Sequence, residues 1–227
     1  MKIGIIGTGM VGQVLAAKLA ADGHTVVVGT RNPAETLART SPDGYGNPPF
    51  AAWQRAHPAV KLGTFAEAAS HGEVLLNAAS GGGSIQALTA AGAGNLEGKI
   101  LIDIANPLDF SKGMPPSLSV CNTDSLAEQI QRAFPGLKVV KSLNTVTALV
   151  MVNPAAVAGG DHHLFVSGND AGAKAEVIRL LGAWFGWKNI IDLGDITTAR
   201  GTEMMLPVWI RLWGALKTPM FNFKIVR

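Results

Sequence analysis

Two spacings of apolar residues alternate along the chain. Lys2 to Ile6 form a short, nearly continuous apolar run stopped by Gly7, the pattern of a strand buried on both faces of a parallel sheet. From Met10 to Ala21 the spacing becomes helical, with Val11, Val14, Leu15, Ala17 and Leu19 recurring on one side and Asp22-Gly23 as the stop. Thr25 to Val28 is continuous and β-branched, so the chain is expected to open with strand, helix and strand. Pro33 suits the first turn of a short helix through Arg39, Ser41 to Pro49 reads as a loop, and Phe50 to His57 as one or two helical turns. Further strands are predicted at Val60 to Leu62, Val74 to Asn77, Lys99 to Ile104, Val139-Val140, Leu164 to Val166 and Ile190 to Leu193. Helices are predicted between them at Phe65 to Ser70, Ile85 to Ala91, from a capping box at Ser125 to Glu128 onward, and at Asp170 to Trp184. Thr198 to Leu216 reads as a helix interrupted at Pro207, followed by an apolar tail, Pro219 to Arg227. The expectation is one α/β domain over residues 1–227: a doubly wound parallel sheet with helices on both faces and a small helical extension over about 197–227.

The first strand-to-helix turn carries the clearest chemistry. Gly7-Thr8-Gly9-Met10-Val11-Gly12 is a complete G-x-G-x-x-G, and it follows a strand and opens a helix within a βαβ unit, as a dinucleotide-binding Rossmann loop requires. Gly7 makes the tight turn, Gly9 admits a pyrophosphate to the backbone, and Gly12 lets helix and strand pack closely. The free N–H groups of the helix start favour the phosphates. An NAD site needs a carboxylate at the end of the second strand to hold the ribose 2′-hydroxyl. This chain has Gly29-Thr30-Arg31-Asn32 there, a set suited to a 2′-phosphate, and the cofactor implied is NADP(H).

Composition narrows the partners. Charged residues make up 15% of the chain against an ordinary ~25%, and 27 glycines imply many tight turns. The net charge of +3, without a basic run, argues against nucleic acid. No apolar stretch approaches the ~18 residues of a spanning helix, so no membrane partner is expected. A single cysteine, Cys121, excludes an internal disulfide, and with no signal-peptide pattern the expected location is the cytoplasm. No metal site is read: adjacent strand residues such as His162 and His163 point to opposite faces. No Ser/His/Asp or Cys/His set appears either, and no catalytic acid or base is assigned. Asp103 is read as bonding backbone at a strand end, and Trp184 as core.

Five segments together carry a resemblance: Gly7 to Gly12, Val26 to Pro33, Asp103-Ile-Ala-Asn-Pro107, Lys141-Ser-Leu-Asn-Thr145 and Leu206-Pro-Val-Trp-Ile-Arg211. With the Phe221 to Lys224 tail, they resemble the deazaflavin (coenzyme F420)-dependent NADP oxidoreductase family over nearly the whole chain. They are also similar to the cytosolic reductase domain of the six-transmembrane metalloreductases. The resemblance implies hydride transfer between NADPH and a deazaflavin, which needs orientation more than acid or base. By position it implies that Gly7, Thr8, Gly9, Met10, Val11 and Gly12 hold the pyrophosphate, and that Thr30, Arg31 and Asn32 hold the 2′-phosphate. Ala78, Ala79 and Ser80 lie along the nicotinamide ribose, and Asn106 and Pro107 line the nicotinamide pocket. Ser142, Asn144 and Thr145 border the acceptor together with Leu206, Pro207 and Trp209.

The sequence departs from the deazaflavin pattern at Ser80-Gly81-Gly82-Gly83, where bulkier apolar or proline-containing residues are associated with the family; the glycines leave either space and mobility or a flexible turn. Two alternatives therefore stand beside a deazaflavin reductase: an NADPH-dependent reductase of flavin, ferric chelate or a small molecule, and a non-enzymatic NADPH sensor. The apolar residues of Met204 to Trp213 and of the tail exceed one buried stripe, so a homodimer built partly from this segment is expected, with the tail either crossing to the partner's acceptor pocket or folding back over its own domain.

Overall fold

A computed structural model describes residues 1–42, 46 and 48–227. The predicted loop at 41–49 includes Asp43, Gly44, Tyr45 and Asn47, which lie outside the described residues. Eight strands form the main sheet: β1 (Lys2–Ile6), β2 (Thr25–Thr30), β3 (Lys61–Thr64), β4 (Val74–Asn77), β5 (Ile100–Asp103), β6 (Lys138–Lys141), β7 (Leu164–Gly168) and β8 (Ile190–Asp192). Their order is β8-β7-β6-β5-β4-β1-β2-β3. Strands β1 to β6 are all parallel and reverse direction of winding at β1, the arrangement that opens a ligand crevice beyond the carboxyl ends of β1 and β4.

The expectation of a fully parallel sheet stops at β6. Val140 pairs with Gly168 and Lys141 with Ser167 in an antiparallel register, and β8 follows β7 in parallel. The link between β6 and β7 holds only a five-residue helix and two short 3₁₀ turns. It provides no long crossover helix, so the chain enters β7 from the carboxyl side of β6.

Among the described residues the helices of five residues or more are α1 (Met10–Ala21), α2 (Pro33–Ala38), α3 (Phe50–Ala56), α4 (Phe65–His71), α5 (Gly81–Ala91), α6 (Leu126–Ala133), α7 (Ala148–Val152), α8 (Ala171–Phe185), α9 (Ala199–Met204) and α10 (Leu206–Leu216). Ile3, Ile5, Val74, Leu76, Ile102 and Val140 meet Leu15, Val177, Leu181 and Trp184 on one face of the sheet. Ile6, Leu75, Leu101 and Val139 meet Ala68, Leu88, Ala127 and Ile130 on the other. Alternate strand residues thus feed two apolar layers, which is why these strands read as unbroken apolar runs. Ser125 caps α6 as expected, but Glu128 departs from the reciprocal capping box: its carboxylate takes the Ser125 hydroxyl and a bidentate bond from Arg200. Among the described residues no helix is long and apolar enough to cross a membrane.

The C-terminal helical segment breaks at Met205, and Pro207 lies in the first turn of α10, where its missing N–H has no intrahelical partner. The tail folds back over its own chain. Phe223 O accepts from His163 N at 2.9 Å, and Asn222 Nδ2 meets His162 Nδ1 at 2.7 Å and donates to His163 O at 2.9 Å. His162 is thereby buried as a clamp on the tail, with its Nε2 at 2.9 Å from Pro154 O.

Candidate dinucleotide and acceptor site

The three loop glycines have three different surroundings. Gly7 has φ +119, and a Cβ there would lie 2.6 Å from Ala78 O, so the β1 turn is pressed against the end of β4. On Gly12 a Cβ would overlap Gly7 O at 2.2 Å, which ties the first turn of α1 to the loop. Gly9 has an ordinary φ of −70, and a Cβ there would meet nothing within 4 Å. No protein contact requires a glycine at Gly9, and the open space lies at the N-terminus of α1, where free N–H groups favour an anion. Thr8 and Val11 are half-buried and Met10 is exposed around it.

At the end of β2 the three predicted side chains separate. Thr30 is buried, with its hydroxyl 2.9 Å from Thr36 Oγ1. Asn32 caps α2: its Oδ1 accepts from Glu35 N and its Nδ2 donates to Glu35 Oε1. Arg31 is exposed, and among the described residues its guanidinium has no partner, so its charge remains available to a ligand.

The loops after β4, β5 and β6 converge. The glycine run after Ser80 is helix rather than a flexible turn: α5 begins at Gly81, four residues before the predicted start, with the glycines as its first turn and open space at Gly82. A Cβ on Gly81 would lie 2.0 Å from Asn106 O, so glycine is required where α5 crosses the loop after β5. Asn106 and Asn144 exchange bonds, Asn106 Nδ2 donating to Asn144 O and Asn144 Nδ2 to Asn106 Oδ1, both at 2.9 Å. Asn144 Nδ2 also donates to Thr202 O at 3.1 Å, which brings α9 to the cluster. The predicted residues Ala79, Ser80, Asn106, Pro107, Ser142, Asn144 and Thr145 are therefore carried by loops along the carboxyl edge of the parallel strands. Leu206 is buried at the start of α10, whereas Trp209 packs its ring 5.2 Å from Phe221 and 5.9 Å from Trp213.

Beneath this edge lies a buried ionic cluster that sequence reasoning missed. Lys141 Nζ sits 2.8 Å from Asp103 Oδ2 and 2.8 Å from Glu203 Oε1, and it also donates to Ala105 O. Asp103 Oδ1 accepts from Asn77 Nδ2, which in turn donates to Ser84 Oγ. Glu203 receives the N–H groups of Leu126 and Ala127 at the start of α6. Burial alone would push the Lys141 ammonium down, but Asp103 and Glu203 outweigh it and hold it above the ordinary lysine value. Asp103 bonds backbone at Ala105 N, as read from sequence, and two further partners, Asn77 and Lys141, make it the hub joining β4, β5 and β6. The missed signal was a lysine and an aspartate ending neighbouring strands at positions that are buried. Leu143, fully buried, adopts φ +62 in the same turn, a conformation that costs a branched residue ~1–2 kcal/mol and is held by its side chain in the core.

Comparison with known proteins matches this arrangement. Residues 2–107 match the family described as NADP oxidoreductase coenzyme F420-dependent. A solved structure from Arthrobacter sp. FB24, named as a candidate F420-dependent NADP-reductase, is 62% identical, with TM-score 0.95 and full coverage of both chains. Metalloreductase STEAP3 of Rattus norvegicus is 27% identical over 215 residues; the match takes 92% of this chain but 38% of that protein. The chain thus spans well under half the length of that curated relative. An imine reductase from Myxococcus stipitatus, solved with NADP+, shares the fold at 17% identity and TM-score 0.61, over 96% of this chain and 63% of that one. With glycine loop, switch-point crevice and full-length likeness in agreement, the chain belongs to the coenzyme F420-dependent NADP oxidoreductase family.

Proposed function

We propose that this protein binds NADP(H) across the carboxyl ends of β1, β2 and β4 to β6 and passes a hydride between the nicotinamide and a planar acceptor, with the deazaflavin coenzyme F420 as first choice. The carrying observation is the glycine loop: Gly7 and Gly12 are fixed by protein contacts, while Gly9 faces open space at the N-terminus of α1, where the loop pattern calls for a pyrophosphate. Arg31, without a partner among the described residues at the end of β2, supplies the charge for the 2′-phosphate, with Thr30 and Asn32 shaping the backbone around it. The bound dinucleotide supplies the hydride chemistry. The chain's residues supply position: Ala78 to Ser80 flank the ribose, Asn106 and Pro107 wall the nicotinamide side, and Asn144 and Thr145 face the acceptor, with Ser142 buried behind them on Phe165 O. Leu206, Pro207 and Trp209, within 197–227, close its far side.

The likeness to a metalloreductase favours a ferric chelate as the second acceptor to examine. NADPH oxidation under anaerobic conditions with coenzyme F420, free flavins and ferric chelates tests the reading: turnover with F420 supports it, turnover with flavin or ferric chelate alone transfers the site to the second reading, and NADPH binding without turnover makes the protein a sensor. The reading includes assembly as a homodimer through α10, whose Val208, Trp213 and Leu216 are 49%, 40% and 54% exposed on a helix with Arg211 as its one charged residue.

A further inference from the structure

The polar atoms of the turn after β6 can be accounted for one at a time. Ser142 Oγ donates to Phe165 O at 2.8 Å. Asn144 Nδ2 has two hydrogens and two acceptors, Asn106 Oδ1 and Thr202 O. A backbone carbonyl only accepts, so the contact with Thr202 O fixes which way the Asn144 amide faces and leaves its side-chain carbonyl Oδ1 as the unspent group. Among the described residues Oδ1 has no partner. The fully enclosed unpaired side-chain atoms are Trp209 Nε1 and Asn222 Oδ1. Asn144 Oδ1 is therefore open to the surface, although the residue as a whole is 5% exposed. Thr145, 2% exposed, likewise has a hydroxyl that is unpaired yet not enclosed.

The Asn144 carbonyl is held from behind. Thr202 is chained to Glu203, which is fixed by Lys141 and by the first N–H groups of α6. The left-handed backbone at Leu143 sets the angle at which Asn144 leaves the strand. An oxygen acceptor that cannot rotate and cannot exchange roles with its own amino group selects for a donor and against a carbonyl or carboxylate.

We propose that Asn144 Oδ1 is a preset acceptor for an amide-type N–H of the ligand, with the Thr145 hydroxyl beside it, making Asn144 a specificity-determining residue. This rests on the NADP(H) reading above. The N–H belongs either to the nicotinamide carboxamide or to the imide of a deazaflavin or flavin ring.

The test is a cycle between protein and ligand on the full chain. Dissociation constants are measured for NADPH and for its analogue in which the carboxamide is replaced by acetyl. KM is measured for a flavin and its N3-methyl derivative. The wild type is expected to prefer the N–H form in one pair by about tenfold, and Asn144→Leu to bring that preference close to one. Collapse in the NADPH pair assigns the carboxamide, and collapse in the flavin pair assigns the imide. A general packing defect would weaken both members of each pair alike and leave the ratios at their wild-type values. Such unchanged ratios overturn the proposal, as do wild-type ratios near one in both pairs. Should Asn144→Leu lose the wild-type circular dichroism, Asn144→Ser carries the same comparison. A wild type that does not bind NADPH at all refutes the functional reading instead.

Discussion

Lys141 at the end of β6 and Glu203 on α9 meet at 2.8 Å in the interior, both essentially without solvent exposure. The pair joins the last strand of the parallel half-sheet to the C-terminal helices and sits under the loops that carry Asn106 and Asn144. Lys141→Met would leave Asp103 and Glu203 buried without their cation, and a loss of ~3–5 kcal/mol in urea unfolding is expected. Because the ammonium is held above its ordinary value, its contribution is complete below about pH 10 and is lost only as pH rises through that raised value. A loss under ~1 kcal/mol at pH 7 would show that the cluster is not holding the edge together.

Acid acts on a different pair. Arg132 holds the Asp124 carboxyl at about 2, just ahead of the Ser125 cap of α6. The contribution is present above the ordinary aspartate value of about 3.9 and disappears as pH falls through about 2. Arg132 is 60% exposed, so solvent screening keeps the effect to ~0.5–1 kcal/mol. Stability measured from pH 5 to pH 2 in wild type and Arg132→Met should converge at the acid end; parallel curves would remove the pair from the acid response.

Two glycines should separate binding from folding. Gly9→Val is expected to keep the far-UV spectrum and abolish NADPH binding, since the new side chain occupies only the space left for pyrophosphate. Gly81→Ala is expected to destabilise the fold by ~1–3 kcal/mol, because its Cβ would press on Asn106 O. Retained NADPH affinity in folded Gly9→Val would take the loop out of the site.

Arg31→Ala should weaken NADPH by ~1.5–3 kcal/mol and leave NADH nearly unchanged, as expected for one lost charge-assisted bond to the 2′-phosphate. Equal losses for both cofactors would contradict that role.

Assembly is read by sedimentation at micromolar concentration. With the tail lying on its own His162–His163 segment, truncation after Lys217 should leave a dimer through α10 intact, while charges at Val208 and Trp213 should give monomers. A monomeric wild type would refute the interface.

Much of this architecture was legible because the strands are buried on both faces and the first loop has one demanding geometry. Residues 2–30 followed the apolar spacing almost residue by residue. The reversal at β7 was not legible, since an apolar strand such as Leu164 to Val166 carries no mark of direction. Gly81 was misread as slack because the atom that requires a glycine, Asn106 O, lies on another loop. Lys141 and Glu203 escaped notice because partnership across the fold has no local spacing. Arg31 and Gly9 could be found from sequence because their roles depend on position within a single βαβ unit.

The path of the hydride is the most direct test of transfer at this site. NADPH deuterated at the reactive C4 position, mixed anaerobically with the protein and oxidised coenzyme F420, should yield NADP+ and reduced deazaflavin carrying the deuterium at ring carbon C5, with one solvent proton taken up, as read by mass spectrometry and NMR. Deuterium released to solvent, or NADPH left unoxidised by this acceptor, would contradict direct transfer to a deazaflavin at this site.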